Sequence, residues 1–366
     1  MDVDVYSLDY NQLPAEKIRE SEARLGVKIT LLKRSKWLDW VICSRLGLVI
    51  RLAMPCPVHN YITLSQEQEN AIKTKGYDGI WIYGEEMSRV ARQFAEYKRC
   101  HLLPDCTSLF YYRMLGQRFV TNSLGKMLKN FLFYRKFMHM EKAFDTSKNI
   151  HYFLVGDADT QSLRNLKPEL QAHFIRHPHY DISDGKASLM RDGEKIKLLI
   201  AGRYDYYMHQ DGDLFVHALC QNKVLSADYR ITILGKGWEG NVAKLRSAGY
   251  DTEHITFAPN YIEEISKHDI QITPISVGTG TKGKVLDALA NGLLVAGTWW
   301  ALENIAVKDG ESCVQYSCAE NLIEVLREIP SQREKYRQIA AKGREAILTE
   351  HSREKLSAQF FEYFRH

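Results

Sequence analysis

Apolar residues recur along this chain in two rhythms. Short apolar runs, each of a few residues, alternate with longer stretches where an apolar side chain returns every third or fourth position. The first rhythm predicts strands and the second helices. In the first half the strand-like runs fall at 3–8, 27–32, 79–83, 100–104, 150–155 and 173–176. In the second half they fall at 196–201, 231–234, 255–257, 270–274 and 293–296. Such alternation predicts βα units, parallel sheets and an α/β class. The segment 181–193 (DISDGKASLMRDG) is polar and aperiodic, and reads as a linker. It divides an N-terminal domain, 1–180, from a C-terminal domain, 194–345. The tail 346–366 is a polar helix that ends in Phe360, Phe361, Tyr363 and Phe364, a cluster suited to packing back on the N-terminal domain. No repeat at solenoid spacing interrupts this scheme.

Composition changes the picture little. A length of 366 residues suits two domains, and 45% apolar residues can fill a core in each. A net charge of +4, without a block of like charge, gives no reason to expect nucleic acid. Seven cysteines at irregular spacing, with no Cys-x-x-Cys, point to a reduced cytoplasmic protein. No apolar signal core follows the acidic start. The most membrane-like stretch, 37–54, is interrupted by Asp39, Arg45 and Arg51 and reads as an amphipathic helix.

The informative feature is a recurrence. Three strands of the second half each run into a glycine turn and then a helix: LLIAGRYD (198–205), ITILGKGWEG (231–240) and IQITPISVGTGTKGKVLDAL (270–289). In a parallel sheet all three turns lie at the carboxyl ends of strands, where open α/β sheets bind ligands. Glycine lets backbone approach a ligand, and a helix N-terminus favours phosphate. Arg203, Lys236, Lys282 and Lys284 accompany the turns. Together they point to a nucleotide diphosphate site. Two literal motif matches are set aside. Gly235, Gly237 and Gly240 form G-x-G-x-x-G, but the next strand ends in Ala258-Pro259 without the acidic residue a dinucleotide ribose needs. Gly278 to Lys284 has P-loop spacing, but Val285 stands where Ser or Thr would hold magnesium.

The segment 277–292 (VGTGTKGKVLDALANG), followed by LLVAGTWWALENIAVKDG, resembles the donor site of retaining GT-B glycosyltransferases of the group 1 family, in its glycine-rich-loop branch. The resemblance covers most of 195–328 and includes the Gly202-Arg203 turn. It is weaker in the first half, at 105–113 and 173–179. It implies two Rossmann-like doubly wound domains facing a cleft. Arg203 and Lys284 would then hold the donor diphosphate, and Gly278, Thr279, Gly280 and Thr281 would offer it backbone N–H groups beside Lys282. Asp287, on the same helix side as Lys284, stands where the family has a ribose-binding Glu. Phe257, Ala258 and Tyr261 would border the nucleobase. The family opens with a strand, a glycine-rich loop and a helix that find no match ahead of 3–8, so the first βα unit is expected to be missing. Other departures are Thr279 in place of an acid, His209 as the nearest cation after the Arg203 turn, and Trp299 and Trp300 in place of small residues.

The implied activity is transfer of a sugar from a UDP-, GDP- or dTDP-sugar to a hydroxyl of a glycan or lipid-linked glycan. The resemblance further implies retention of configuration, no metal, no added cofactor and a place in bacterial-type surface polysaccharide synthesis. Two other readings stay open: a non-catalytic GT-B protein that binds nucleotide or a partner, and an epimerase or phosphorylase on the same architecture. A homo-oligomer is also left open. For single residues the plainer readings stand alongside. Arg203 can pair with Asp205 or Asp211. Lys284 can be a solvated helix lysine. Asp105 can cap a helix rather than face an acceptor. The histidines at 173, 177 and 179 lack a carboxylate or Cys partner at ligand spacing, so strand-end roles are favoured. The basic stretch 124–142 is either a core helix with a solvated face or, with 37–54, a weak contact to an anionic membrane at its inner face.

Overall fold

The computed structural model describes residues 2–8, 13–183 and 189–365. Among the described residues there are twelve strands: β1 (Val5–Leu8), β2 (Ile29–Leu32), β3 (Gly79–Tyr83), β4 (Lys98–Leu103), β5 (Ile150–Leu154), β6 (Ala172–Phe174), β7 (Ile196–Ala201), β8 (Tyr229–Leu234), β9 (Asp251–Ile255), β10 (Ile270–Thr273), β11 (Leu294–Gly297) and β12 (Val314–Gln315). The chain folds into two compact units. One comprises Met1–Pro104, Leu132–Phe153 and Leu163–His173, the other Asp105–Phe131, Leu154–Ser162 and Phe174–His366.

The larger unit is built on a six-stranded sheet in the order β12-β11-β10-β7-β8-β9. Its five strand pairings are all parallel. Both faces are covered, as a parallel sheet requires. Along β7, Leu198 and Ile200 point into one core with Phe215, Leu219 and Leu322, while Leu199 and Ala201 point into another with Val285, Leu289 and Val295. Period-two geometry therefore sends every β7 side chain from Leu198 onward into apolar packing. The strand reads in sequence as an unbroken apolar run for that reason. β9 (DTEHI), paired with β8, is an edge strand and largely polar. The apolar run expected at 255–257 is displaced from it: Ile255 ends the strand and Phe257 stands 73% exposed. β12 has only two residues, too few to leave a periodic signal.

The smaller unit carries two sheets. β1 and β2 pair in parallel with each other, and β3-β4-β5-β6 form a second sheet. Arg99 of β4 is wholly buried. It is met by Asp145, Ser147 and Asn149 at 2.7 Å each, as a buried guanidinium must be. The helix Leu124–Lys142 forms over the expected stretch. Lys136, counted with its solvated basic face, is instead buried and donates to the carbonyl of Leu52 at 3.1 Å.

Part of the expected linker, 184–188, lies outside the described residues. On its far side Met190 is buried and donates its N–H to Asp269 at 2.7 Å. The tail forms two helices, Arg333–Glu350 and Arg353–Arg365. Between them His351 accepts from the Ala306 N–H and reaches the His177 carbonyl at 2.7 Å.

Candidate functional site

The sheet of the larger unit reverses its winding between β7 and β10. β8 and β9 follow on one side of β7, and β10, β11 and β12 on the other. The carboxyl ends of β7 and β10 therefore flank the point where open α/β sheets place ligands.

The turns after β7 and β8 are locked together. Gly202 donates to Leu234 O at 2.9 Å and Tyr204 to Lys236 O at 2.9 Å. The indole of Trp238, wholly buried, donates to Gly202 O at 2.8 Å. A Cβ on Gly235 would lie 2.0 Å from Gly202 O, and one on Gly212 would lie 2.7 Å from the Trp238 ring. Gly235 and Gly212 are thus small because backbone and indole pack against them, and Gly202 because the Met208 sulfur would lie 2.3 Å from a Cβ there. Gly237 has φ +93°, a conformation that favours glycine. Across the sheet, Ser276 ties the β10 turn to the β7 turn: it donates its N–H to Tyr207 O at 2.7 Å, and its hydroxyl accepts the Asp211 N–H at 3.1 Å.

Arg203 stands exposed on the β7 turn, and Lys284 is exposed in the first turn of the helix Gly283–Ala290. Among the described residues neither makes an ion pair. Asp205 accepts the Tyr207 N–H, and Asp211 meets Ser276, so the surface pairing open to Arg203 in sequence does not form. Lys284 lies 5.8 Å above the Tyr261 ring. The Tyr261 hydroxyl is buried without a hydrogen-bond partner among the described residues. Burial, with the Asp287 carboxylate beside it, holds its pKa above the ordinary tyrosine value. Asp287 is itself buried, accepts the Tyr180 N–H at 3.2 Å, and is pushed up to about 6, chiefly by burial. Lys284, Tyr261 and Asp287 thus gather at one helix start, whereas Phe257 projects into solvent.

The glycine loop 278–282 is gripped by side chains that the sequence did not single out. Arg113 donates to Gly278 O at 2.6 Å and forms a two-pronged pair with Glu303, both bonds 2.8 Å. Its guanidinium lies 4.9 Å from the Trp300 ring centre. Asp159 accepts the Gly280 N–H at 3.0 Å through one oxygen and the Cys106 N–H at 2.8 Å through the other. Burial pushes Asp159 up to about 6, against the pull of those two N–H groups. Asn304 donates to Gly280 O at 2.8 Å, and Thr281 donates its hydroxyl to Val155 O. Gly280 takes φ +60°. Lys282 folds back to Thr279 O. Burial lowers its pKa while Asp105, Glu303 and Asp159 oppose that shift. The N–H of Gly280, expected to face phosphate, is therefore engaged by a carboxylate in this structure.

Asp105 is not a helix cap. The helix Thr107–Leu115 has Cys106 at its N-cap position, without a side-chain cap bond. Asp159 satisfies the free N–H there instead. Asp105 belongs by charge to the Lys282 and Asp159 group. His173 lies 3.0 Å from His151, ring to ring. No group of three His, Cys, Asp or Glu suited to a metal occurs among the described residues. No helix among them is long and apolar enough to cross a membrane.

Residues 211–362 match a family described as glycosyl transferase-like. No curated protein matches the chain. Solved structures do. HepE of Anabaena in complex with UDP-glucose is 12% identical, with 99% of each chain covered and a TM-score of 0.61. WaaG, a glycosyltransferase involved in lipopolysaccharide biosynthesis, is 13% identical over 98% of this chain and 99% of its own, at 0.61. Sucrose-phosphate synthase of Thermosynechococcus elongatus is 15% identical over 82% and 77%, at 0.59. The chain has the α/β GT-B fold of these structures, with its two Rossmann-like domains.

Proposed function

We propose that this GT-B protein is a glycosyltransferase that moves a sugar from a UDP-, GDP- or dTDP-sugar to a hydroxyl of a glycan or glycolipid. One observation carries the proposal: Arg203 and Lys284, which form no ion pair among the described residues, sit on the two turns that flank the β7/β10 reversal. Fixed cations at a developing diphosphate charge stabilise its departure without solvent reorganisation. Lys284, Tyr261 and Asp287 supply the chemistry to border a nucleoside: a cation, an unpaired hydroxyl and a carboxylate. The glycosyl transferase-like match over 211–362 and the UDP-glucose complex of HepE support the same reading.

The finer assignments extend it. Configuration at the sugar is retained. The leaving group is neutralised by Arg203 and Lys284 rather than by a metal, and the product belongs to a surface polysaccharide. The donor diphosphate meets the N–H groups of Gly278, Thr279 and Thr281, while Gly280 stays with Asp159.

A thermal-shift screen of nucleotide diphosphates and their sugars tests the donor. A ligand at a hundred times its Kd is expected to add about 2.7 kcal/mol of stability. For the responding nucleotide, Arg203→Ala and Lys284→Ala are each expected to lose about 1.5–3 kcal/mol of binding by calorimetry. Unchanged affinity in both variants removes the site, and sugar release without an acceptor redirects the activity to hydrolysis.

A further inference from the structure

After β11 the chain forms the short helix Trp299–Leu302, and before β12 it turns at 309–313. A cavity of about 260 Å³ lies between these segments, and every residue that lines it belongs to the larger unit. Trp299 supplies an aromatic wall. Its side chain is 50% exposed but braced: it meets Trp300 edge-on with ring centres 4.7 Å apart, and Arg113 lies against Trp300 in turn. Leu302 and Val307 add apolar surface, and Asp309 and Gln315 supply polar groups. One Asp309 carboxylate oxygen accepts the Gln315 N–H at 2.7 Å, and Gly310 donates to Cys313 O at 2.9 Å, so the turn is fixed. The second Asp309 oxygen, the Gln315 amide and the Trp299 indole N–H have no hydrogen-bond partner among the described residues. Asn304, also in the lining, takes φ +69°. That conformation is costly for a residue with a side chain and collects at ligand sites. Bonds to Gly280 O and from the Asp157 N–H hold Asn304 in it.

We propose that this cavity is a carbohydrate subsite that takes one neutral pyranose ring of a glycan. The chemistry of its walls selects that occupant. A pyranose with equatorial hydroxyls turns axial C–H bonds to both faces and carries its polar groups around the rim. Such a ring needs a flat apolar surface beneath it and donors and acceptors beside it. Trp299 offers the surface and an indole N–H, Asp309 an acceptor, and Gln315 both a donor and an acceptor. The Asp309 carboxylate repels a phosphate or a carboxylated ligand. Pockets for drug-sized ligands run to about 300–1,000 Å³, so this smaller cavity suits one ring rather than a chain. Because Trp299 and the turn are already held, seating the ring orders little protein. Glu303 and Asn304 of the same lining also support the glycine loop, through Arg113 and Gly280. A glycan seated here therefore lies beside the loop proposed to meet the donor. Choosing a glycan as the occupant rests on the proposed transfer reaction, yet the subsite contains no residue assigned to the donor.

Ligand-observed NMR titration of the full chain with cellotriose and with N-acetylchitotriose tests the proposal. At least one trisaccharide is expected to bind, with saturation transfer strongest at the axial protons of one ring. Trp299→Ala is expected to weaken that binding about tenfold, and Gln315→Ala about threefold. Melting curves check that both variants fold, and if Trp299→Ala melts early, Gln315→Ala decides alone. Affinity for the nucleotide chosen by the thermal-shift screen is expected to be unchanged in both. Arg203→Ala is expected to lose that nucleotide and keep the trisaccharide. Failure of the donor site and failure of the subsite are therefore read separately: trisaccharide binding without any nucleotide binding removes the former and leaves the latter. Binding of neither trisaccharide, or binding that the folded variants leave intact, overturns the proposal. So does a parallel loss of nucleotide and trisaccharide in Gln315→Ala, because the cavity is then part of the donor site.

Discussion

Asp159 and Asp287 show how much hangs on a single carboxyl in this unit. Burial pushes both up to about 6, whereas an unfolded aspartate titrates near 3.9. The folded state therefore holds protons that the unfolded state releases. Their combined effect lowers stability as pH rises from about 4 to about 6 and levels off above it, by up to about 3 kcal/mol for each group. Asp287→Asn is expected to keep its acceptor for the Tyr180 N–H and to flatten that slope in urea titrations at several pH values. Asp159→Asn is expected to do worse, because both of its oxygens accept N–H groups and an amide must turn its NH2 toward one of them. A cost of about 1–3 kcal/mol follows. A milder loss for Asp159→Asn than for Asp287→Asn would contradict this assignment of contacts. Asp287 was singled out by the family resemblance, and its spacing placed it on the same helix side as Lys284. Asp159 was not, since its partner Gly280 lies 121 positions away and no local pattern announces such a bond. Arg113 and Glu303, 190 positions apart, escaped for the same reason.

At the scale of elements, the turn after β8 separates a motif from its usual meaning. In G-x-G-x-x-G the glycines are commonly read as room for a pyrophosphate. Here a Cβ on Gly235 would meet Gly202 O at 2.0 Å, while one on Gly240 would meet nothing within 4 Å. Gly235→Ala is expected to cost several kcal/mol, since backbone cannot move aside as a side chain can. Gly240→Ala, in the first turn of the helix Glu239–Ser247, is expected to gain up to about 1 kcal/mol from helix propensity. Urea midpoints of the two variants check the pair, and equal midpoints would refute it. The buried strands were readable because both their faces are apolar. β9 was misplaced because an edge strand can be polar, leaving the apolar 255–257 to draw attention to a loop.

For the molecule as a whole, the parallel sheet of the second half was predictable from strand–helix alternation, since crossover geometry leaves parallel sheets few arrangements, and its doubly wound order was implied by the family resemblance. Sheet division in the first half was not, because periodicity marks strands without saying which of them pair. That division has a consequence for local stability. No residue of β1, β2 or the helix Ala15–Leu25 is buried, whereas β7 is apolar and covered on both faces. Elements with few buried contacts open first. Amide hydrogen exchange is expected to be fastest through β1, β2 and that helix. In β7, β8 and β10 it should follow only global unfolding. Equal protection in β1 and β7 would count against the two-stranded pairing.

The indole beneath the first glycine turn gives the chain an optical gauge. Of six tryptophans, Trp37, Trp40, Trp81 and Trp299 are about half exposed and open to a collisional quencher, while Trp238 is sealed at 0%. With Trp300 partly covered, light that survives quenching is therefore weighted most toward the ring bonded to Gly202 O, next to Arg203. A movement of that turn changes the ring's hydrogen bond and with it the colour of the protected emission. The protein thus carries, without a label, a lamp fixed at the turn where the donor phosphate is proposed to arrive.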